Sequence, residues 1–229
     1  CLEFSEALAT TDVLYDLAFL LMDLSERGLR RQANGLFNRY LDMSPGDEDG
    51  LPLLPLFLSI RATIRAHALA AQGKASDNPQ PLVARAQAYF SLAIGLLDAP
   101  PPRLVAIGGL SGTGKSTIAR IVGGELGRAP GARIVRSDVL RKRMAGLKPE
   151  DPLGKDAYTK EASDGVYQEM GMLAARALEA GHSAIADAVF ADRAERDAIE
   201  RTASDLDATF SGIWLEAPPA TLQARIEGR

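Results

Sequence analysis

An α/β fold, a parallel sheet with helices on both faces preceded by a small all-α domain, is what this sequence predicts. Three observations carry that expectation. Apolar residues recur at helical spacing up to Leu97, the run Asp98-Ala99-Pro100-Pro101-Pro102 then interrupts the pattern, and from Arg103 onward short β-branched runs alternate with amphipathic stretches. Alternating strand and helix is the pattern of a parallel sheet covered by helices.

The elements follow in order. Val13, Leu14, Leu17, Leu20, Leu21 and Leu24 recur at helical spacing, with Thr11 or Asp12 as cap and Gly28 as terminator. The run Leu17–Met22, bounded by Asp16 and Asp23, is far shorter than a membrane span needs and reads as a core helix. Further helices are expected over Leu29–Met43, about Leu54–Gln72 and Leu82–Leu97, with the turn-rich segment Gly73–Pro81 before the last. The prolines at 100–102 forbid a helix and favour a stiff extended connector. The expected organisation is therefore a helical domain over 1–98, a linker over 99–102 and an α/β domain over 103–229. In the latter, strands are predicted at Arg103–Ile107, Ala132–Arg136, Ser183–Ala186 and Thr209–Leu215. Helices are predicted at about Lys115–Leu126, Asp138–Met144, Glu161–Ala180 and Arg193–Thr202, and from Pro219 toward Arg229. Right-handed crossovers place the carboxyl ends of such strands along one edge, and the chemistry with them.

The first strand runs into Gly109-Leu110-Ser111-Gly112-Thr113-Gly114-Lys115-Ser116-Thr117, a full G-x-x-x-x-G-K-[ST] loop. Glycines at 109, 112 and 114 permit backbone conformations closed to other residues, so successive N–H groups can turn onto phosphate oxygens. Lys115 supplies a charge for the β and γ phosphates, Ser116 a hydroxyl for Mg²⁺, and the following helix its positive end. The apolar strand before the loop and the helical spacing of Ile118, Ala119, Ile121 and Val122 after it are the flanks that such a loop requires. A P-loop NTPase-type sheet with ATP as ligand is the expectation.

Composition narrows the partners. At 229 residues and 46% hydrophobic content the chain can fill a sizeable core. A net charge of −4, with arginines dispersed along the sequence, gives no general attraction to nucleic acid. Cys1 is the single cysteine, which suits a reducing cytoplasm, and His67 and His182 are too few for a zinc site.

Three acidic positions fall at expected strand ends. Asp138 opens a helix that carries Arg141, Lys142 and Arg143. A carboxylate there can take the proton of an attacking hydroxyl and orient it toward a γ phosphate, while Arg141 holds an anionic or polar group of the acceptor. The competing reading makes Ser137 or Asp138 a simple helix cap. Asp187, ending an apolar strand, could hold Mg²⁺ directly or through water, or orient the acceptor; otherwise it is a turn residue. Glu216 is assigned no role. Arg193 and Arg196 read as solvated helix arginines, whereas Arg225 and Arg229, four apart, could reach phosphates. His182 reads as a loop residue, Tyr158 and Tyr167 as candidate pocket walls, and Trp214 as core.

Residues 103–229 resemble the small-molecule P-loop kinases, the broad group with gluconate kinase, chloramphenicol phosphotransferase, zeta-toxin-like kinases and the polynucleotide kinase domain. The resemblance rests on Gly109–Thr117, on Arg136-Ser137-Asp138-Val139-Leu140-Arg141-Lys142, and on Asp187-Ala188-Val189-Phe190 followed by Arg193 and Arg196. It implies that Asp138 serves as base or acceptor anchor. The first part, with Cys1-Leu2-Glu3-Phe4 and Asp12–Leu24, is similar to the helical lobe of aminoglycoside phosphotransferase-like kinases just after their metal-binding aspartate. Both halves in this order resemble bacterial bifunctional aminoglycoside phosphotransferase/ATP-binding proteins. That resemblance implies an internal fragment, with the lobe's catalytic loop before Cys1 and the rest of a lid after Arg229. The expected function is transfer of the γ-phosphoryl group of ATP to a hydroxyl of a small molecule, with no nucleic acid or membrane partner. The alternative is a nucleotide-dependent switch that has no acceptor.

Overall fold

A computed structural model describes residues 11–148, 150–154 and 159–227. The amino-terminal part is helical: α1 Val13–Glu26, α2 Arg30–Met43, a 3-10 stretch Pro45–Leu53, α3 Leu54–Lys74 and α4 Gln80–Gly95. Of the two candidate caps, Asp12 is the one used, its carboxylate accepting from the Leu14 amide at 2.8 Å. Gly28, at φ +71°, terminates α1 in the left-handed conformation. The 3-10 stretch was not anticipated. Pro45 and Pro52 lack the N–H that an α-helical ladder needs, yet buried Leu51 holds the segment against the core in the tighter helix.

Leu21, Met22, Phe37, Leu41, Leu54, Leu58 and Tyr89 form the centre of the helical part. The run Leu17–Met22 is only partly core. Phe19 and Leu20 remain 43% and 48% exposed, because a helix turns part of any continuous apolar run outward. By length and composition, Pro45–Lys74 could cross a membrane. In the structure Leu54, Leu58, Ala62, Ala66 and Leu69 face the helical core, while Leu56, Ile60 and Ile64 lie exposed.

After Asp98–Pro102, which lie outside any helix or strand, the chain alternates as expected. The elements are β1 Arg103–Gly109, α5 Lys115–Gly123, β2 Arg133–Arg136, α6 Ser137–Met144, α7 Lys160–Glu179, β3 Ala184–Asp187, α8 Arg193–Ser204, β4 Thr209–Leu215 and α9 Pro219–Glu227. The four strands form one parallel sheet in the order β2-β3-β1-β4. Alternate residues of β1 serve opposite faces. Leu104 and Ala106 pack with Met170, Leu173 and Ala177 of α7, and Val105 and Ile107 pack with Ala119 of α5. Ile107, Asp187 and Arg136 lie side by side at the carboxyl ends of β1, β3 and β2.

The helical part is bound to the outer edge of β2 by polar groups. Asn38 accepts from the Ile134 amide at 2.6 Å and donates to the Ala132 carbonyl at 3.0 Å, and Asn34 also donates to that carbonyl. These side chains satisfy an edge that would otherwise be open. Arg133, 1% exposed, donates to Glu48 at 2.8 Å and to Asp42 at 2.9 Å. Burial pulls the guanidinium pKa down, but the two carboxylates more than offset this and hold it above its ordinary value.

His182 lies in the loop before β3, as expected, and is a second buried polar group at this junction. It is 0% exposed, and its ring stacks on Phe37 with centroids 6.1 Å apart. Burial, helped by the charge of Arg128, lowers its pKa from 6.5 to about 4. The unfolded chain therefore takes up this proton first. Its contribution is fully present above pH 6.5 and is lost as pH falls toward about 4. Between about pH 7 and about pH 4.5 wild type should lose about 2–3 kcal/mol more than His182→Phe. Urea midpoints at the two pH values test this, and parallel losses in the two proteins would refute it.

Candidate active site

The loop between β1 and α5 has the backbone its glycines suggested. Gly109, Gly112 and Gly114 take φ values of +137°, +86° and +98°. A Cβ on Gly109 would stand 2.4 Å from the Leu215 carbonyl, whereas one on Gly114 would meet nothing within 4 Å. The first position is closed by β4, and the second opens on space that a bound group can occupy. Thr113 Oγ1 donates to the Leu110 carbonyl at 2.8 Å. Lys115 Nζ donates to the carbonyls of Gly109 at 2.7 Å and Leu110 at 2.9 Å, which holds its charge at the mouth of the loop. From α9, Arg225 donates to the Gly112 carbonyl at 3.0 Å. Arg229, paired with it in the sequence reading, lies outside the described residues, as do Cys1 and Tyr158.

A cavity of about 370 Å³ opens beside this loop. Ser111, Gly112, Gly114, Lys115, Ser116 and Thr117 line one side, and Arg120, Arg136, Ser137, Asp138, Arg141, Tyr167 and Asp187 line the rest. Larger cavities of about 930, 710, 660 and 410 Å³ lie between α3 and α4, beside Arg30 and Arg128, between α7 and α8, and between α8 and β4. None of them is lined by the phosphate loop.

Ser116 Oγ donates to Asp187 Oδ2 at 2.6 Å, so the chain brings the two candidate Mg²⁺ ligands into contact. Asp187 is 4% exposed. Burial raises its pKa, opposed by the Ser116 hydroxyl and by Arg136, Lys115 and Arg120. A desolvated carboxylate touching a hydroxyl at the foot of a phosphate loop fits a Mg²⁺ site completed by phosphate oxygens and water. Among the described residues no group of three or more His, Cys, Asp or Glu is placed to hold a metal, so such an ion would depend on the nucleotide. Asp187→Asn should therefore act in opposite directions on two properties. Removing a buried charge should raise the melting temperature without nucleotide by a few degrees, about 1 kcal/mol. The extra stabilisation that Mg²⁺ gives with ATP should be lost. Thermal melts with ATP, with and without Mg²⁺, check both parts, and full retention of the Mg²⁺ effect would exclude Asp187 as a ligand.

Asp138 faces the loop from the other wall. The residue capping α6 is Arg136, with no side-chain cap, so neither Ser137 nor Asp138 is occupied as a cap. The Asp138 side chain is 52% exposed and lies 3.5 Å from Lys142, one turn further on. Arg141 enters the same cavity and donates to Ser163 at 3.2 Å. Tyr167, the wall residue that was expected, accepts from the Phe190 amide at 3.1 Å. Its pKa is pushed up to about 12, chiefly by burial, so it stays a neutral phenol.

Two site residues were missed. Arg120 sits four residues after Ser116, one helical turn along, and Arg136 immediately precedes Ser137-Asp138. The dispersed arginines of the sequence are thus partly gathered by the fold. Arg196 holds the loop after β3 through the carbonyls of Phe190 and Ala191, and Arg193 pairs with Asp197. Trp214 is not core. It is 47% exposed on β4, an edge strand of the described sheet, with its ring against Gly108.

A phosphate loop on the first strand of a β2-β3-β1-β4 parallel sheet, with an acidic residue ending the neighbouring strand, defines a P-loop nucleotide-binding domain. Residues 104–229 match the AAA domain family, and the chain belongs to that family. Over 233 positions it is 30% identical to uncharacterized proteins of Mycobacterium tuberculosis, strain H37Rv, and Mycobacterium bovis, covering 100% of this chain and 45% of each relative. The chain thus spans about half the length of the curated relatives it matches. A solved structure similar to part of the chain is an unliganded sugar kinase from Janibacter sp. HTCC2649, at 23% identity and a TM-score of 0.41, covering 56% of this chain and 68% of that one.

Proposed function

We propose that this chain carries an ATP-dependent kinase domain that transfers the γ-phosphoryl group to a hydroxyl of a small molecule. The observation that supports it is one cavity shared by the phosphate loop and Asp138. A nucleotide-dependent switch needs the loop but has little use for a half-exposed carboxylate flanked by Arg136 and Arg141. In this reading the loop amides of Gly109–Thr117 and Lys115 hold the phosphates, and Ser116 and Asp187 hold Mg²⁺. That ion supplies charge neutralisation on the phosphates when bound. Asp138 orients the acceptor hydroxyl and takes its proton, and Arg141 holds the acceptor.

The helical part, which resembles the end of an aminoglycoside phosphotransferase-like lobe, serves here as a structural partner that secures β2. The partners in this reading are ATP and a small acceptor, in the cytoplasm, rather than nucleic acid or a membrane. The test is transfer of labelled γ phosphate from ATP with Mg²⁺ to a panel of sugars, sugar acids, sugar phosphates, aminoglycosides and nucleosides. Lys115→Ala should reduce labelling by at least about 100-fold, the scale of losing one charge-stabilising group at the transferring phosphate. ATP binding and hydrolysis with no labelled acceptor would favour the switch.

A further inference from the structure

Two cavities meet at one side chain. Tyr167 of α7 lines the cavity of about 370 Å³ that holds the phosphate loop and Asp138, and it also lines the groove of about 660 Å³ between α7 and α8. Among the described residues it is the single one that the two walls share. Its ring is therefore the partition between them. Ser163, one turn earlier on the same face of α7, accepts from Arg141 at 3.2 Å, so the partition stands on the side of the cavity that Arg141 and Asp138 border.

The partition has a fixed backing. The Tyr167 hydroxyl accepts from the Phe190 amide at 3.1 Å, and the two ring centroids lie 5.5 Å apart. Phe190 lines the groove but not the loop cavity, which anchors the phenol end on the groove side. Phe190 is itself 2% exposed at φ +53°, with its carbonyl accepting from Arg196 at 2.6 Å. A bulky residue in the left-handed region persists only where its surroundings hold it there. The neighbouring Val189 carbonyl accepts from the Gly109 amide at 3.1 Å, which ties this backing to the first glycine of the phosphate loop. Behind it the groove is apolar and roomy, with Met170, Ile199 and Leu206 in its wall and only small side chains at Ala175 and Ala194.

Space in front of the partition is short. About 370 Å³ lies near the lower end of the range for small-molecule sites, roughly 300–1,000 Å³. Here it must serve the end of a triphosphate, its metal and the acceptor together. We infer that Tyr167 sets the size of the acceptor: with the phenol in place the acceptor is a compact molecule, of monosaccharide size at most, and shortening residue 167 opens the α7–α8 groove to a longer one. This rests on the kinase reading and deepens it.

The first test uses esters of ATP on the γ phosphate, whose alkyl group leaves the phosphate where an acceptor would sit. The γ-methyl and γ-hexyl esters carry the same charge, so the difference between them reads space alone. With Mg²⁺, calorimetry on wild type should show the hexyl ester binding at least about tenfold more weakly than the methyl ester, the scale on which a pocket discriminates by methylene groups. Tyr167→Ala and Tyr167→Leu should bring the two esters within about threefold of each other, whereas Tyr167→Phe, which keeps the ring, should keep the wild-type preference. Adding Ala194→Phe to Tyr167→Ala should restore discrimination, because Ala194 lines the groove and a ring there refills it. Equal binding of the two esters to wild type, or undiminished discrimination in shortened variants that still melt cooperatively, would overturn the inference.

The second test measures transfer of labelled γ phosphate to glycerol, glucose, maltose and maltotriose. In wild type kcat/KM should fall at least about tenfold beyond the monosaccharide, and Tyr167→Ala should narrow that fall. The two tests fail separately. The expected ester pattern with no labelled acceptor keeps Tyr167 as the wall of a nucleotide site and counts against the kinase reading alone. Equal transfer to glucose and maltotriose in wild type leaves the kinase and removes the size limit.

Discussion

Glu48→Ala is expected to destabilise the protein by about 3–5 kcal/mol, on the order of 10 °C in melting temperature for a chain of this size. Glu48 is 2% exposed and its Oε1 accepts both Arg133 Nε at 3.3 Å and Nη2 at 2.8 Å. Removing it leaves a buried guanidinium whose other charged partner is Asp42, and Asp42 sits at the rim with 13% of its side chain exposed. The penalty comes from that uncompensated charge rather than from the net worth of the pair. Glu48→Leu combined with Arg133→Met should therefore recover to within about 1 kcal/mol of wild type, because a buried ion pair and an apolar pair of similar volume are often nearly equivalent. Chemical denaturation of the single and double variants measures both values. A single variant costing less than about 1 kcal/mol would mean that water reaches Arg133.

Asp138→Asn is expected to lower kcat for phosphoryl transfer by about 10²–10⁴-fold, the usual contribution of a general base. ATP binding should change by less than about twofold, since the phosphate loop lies on the opposite wall. Asparagine keeps the volume and can still orient a hydroxyl, so the loss isolates the proton-accepting step. Asp138→Glu should retain part of the rate. Turnover within about threefold of wild type in Asp138→Asn would remove this residue from the chemistry and leave the site a nucleotide switch.

How much of this could be read in advance differs from residue to residue, for physical reasons. Gly109–Thr117 was legible because its spacing dictates backbone geometry directly, and the left-handed glycines at 112 and 114 follow from it. Asp138 and Asp187 were legible as carboxylates at the ends of apolar strands. Their separate surroundings were not. The Ser116–Asp187 contact depends on β3 lying beside β1 although β2 precedes it in the chain, which is a crossover, not a local pattern. Arg136 and Arg120 were passed over because arginine is ordinarily a surface residue; the sheet order sets Arg136 beside Asp187, and Arg120, itself exposed, borders the cavity from one turn after Ser116. Trp214 was misplaced by the same rule of averages: a large aromatic is usually core, but β4 is an edge strand of the described sheet. His182 does lie in the loop before β3; what the sequence did not show is its burial under the helical part.

Trp214 is the only tryptophan in the chain. Its half-exposed ring rests on Gly108, and its own backbone pairs with that residue one position before the phosphate loop begins. The protein therefore carries a single indole mounted at the root of its nucleotide loop, near enough to sense a shift in loop backbone yet outside the cavity that the loop lines. Excited at the red edge of the protein absorption, where its five tyrosines hardly absorb, the unlabelled chain should report ligand occupancy from one known place.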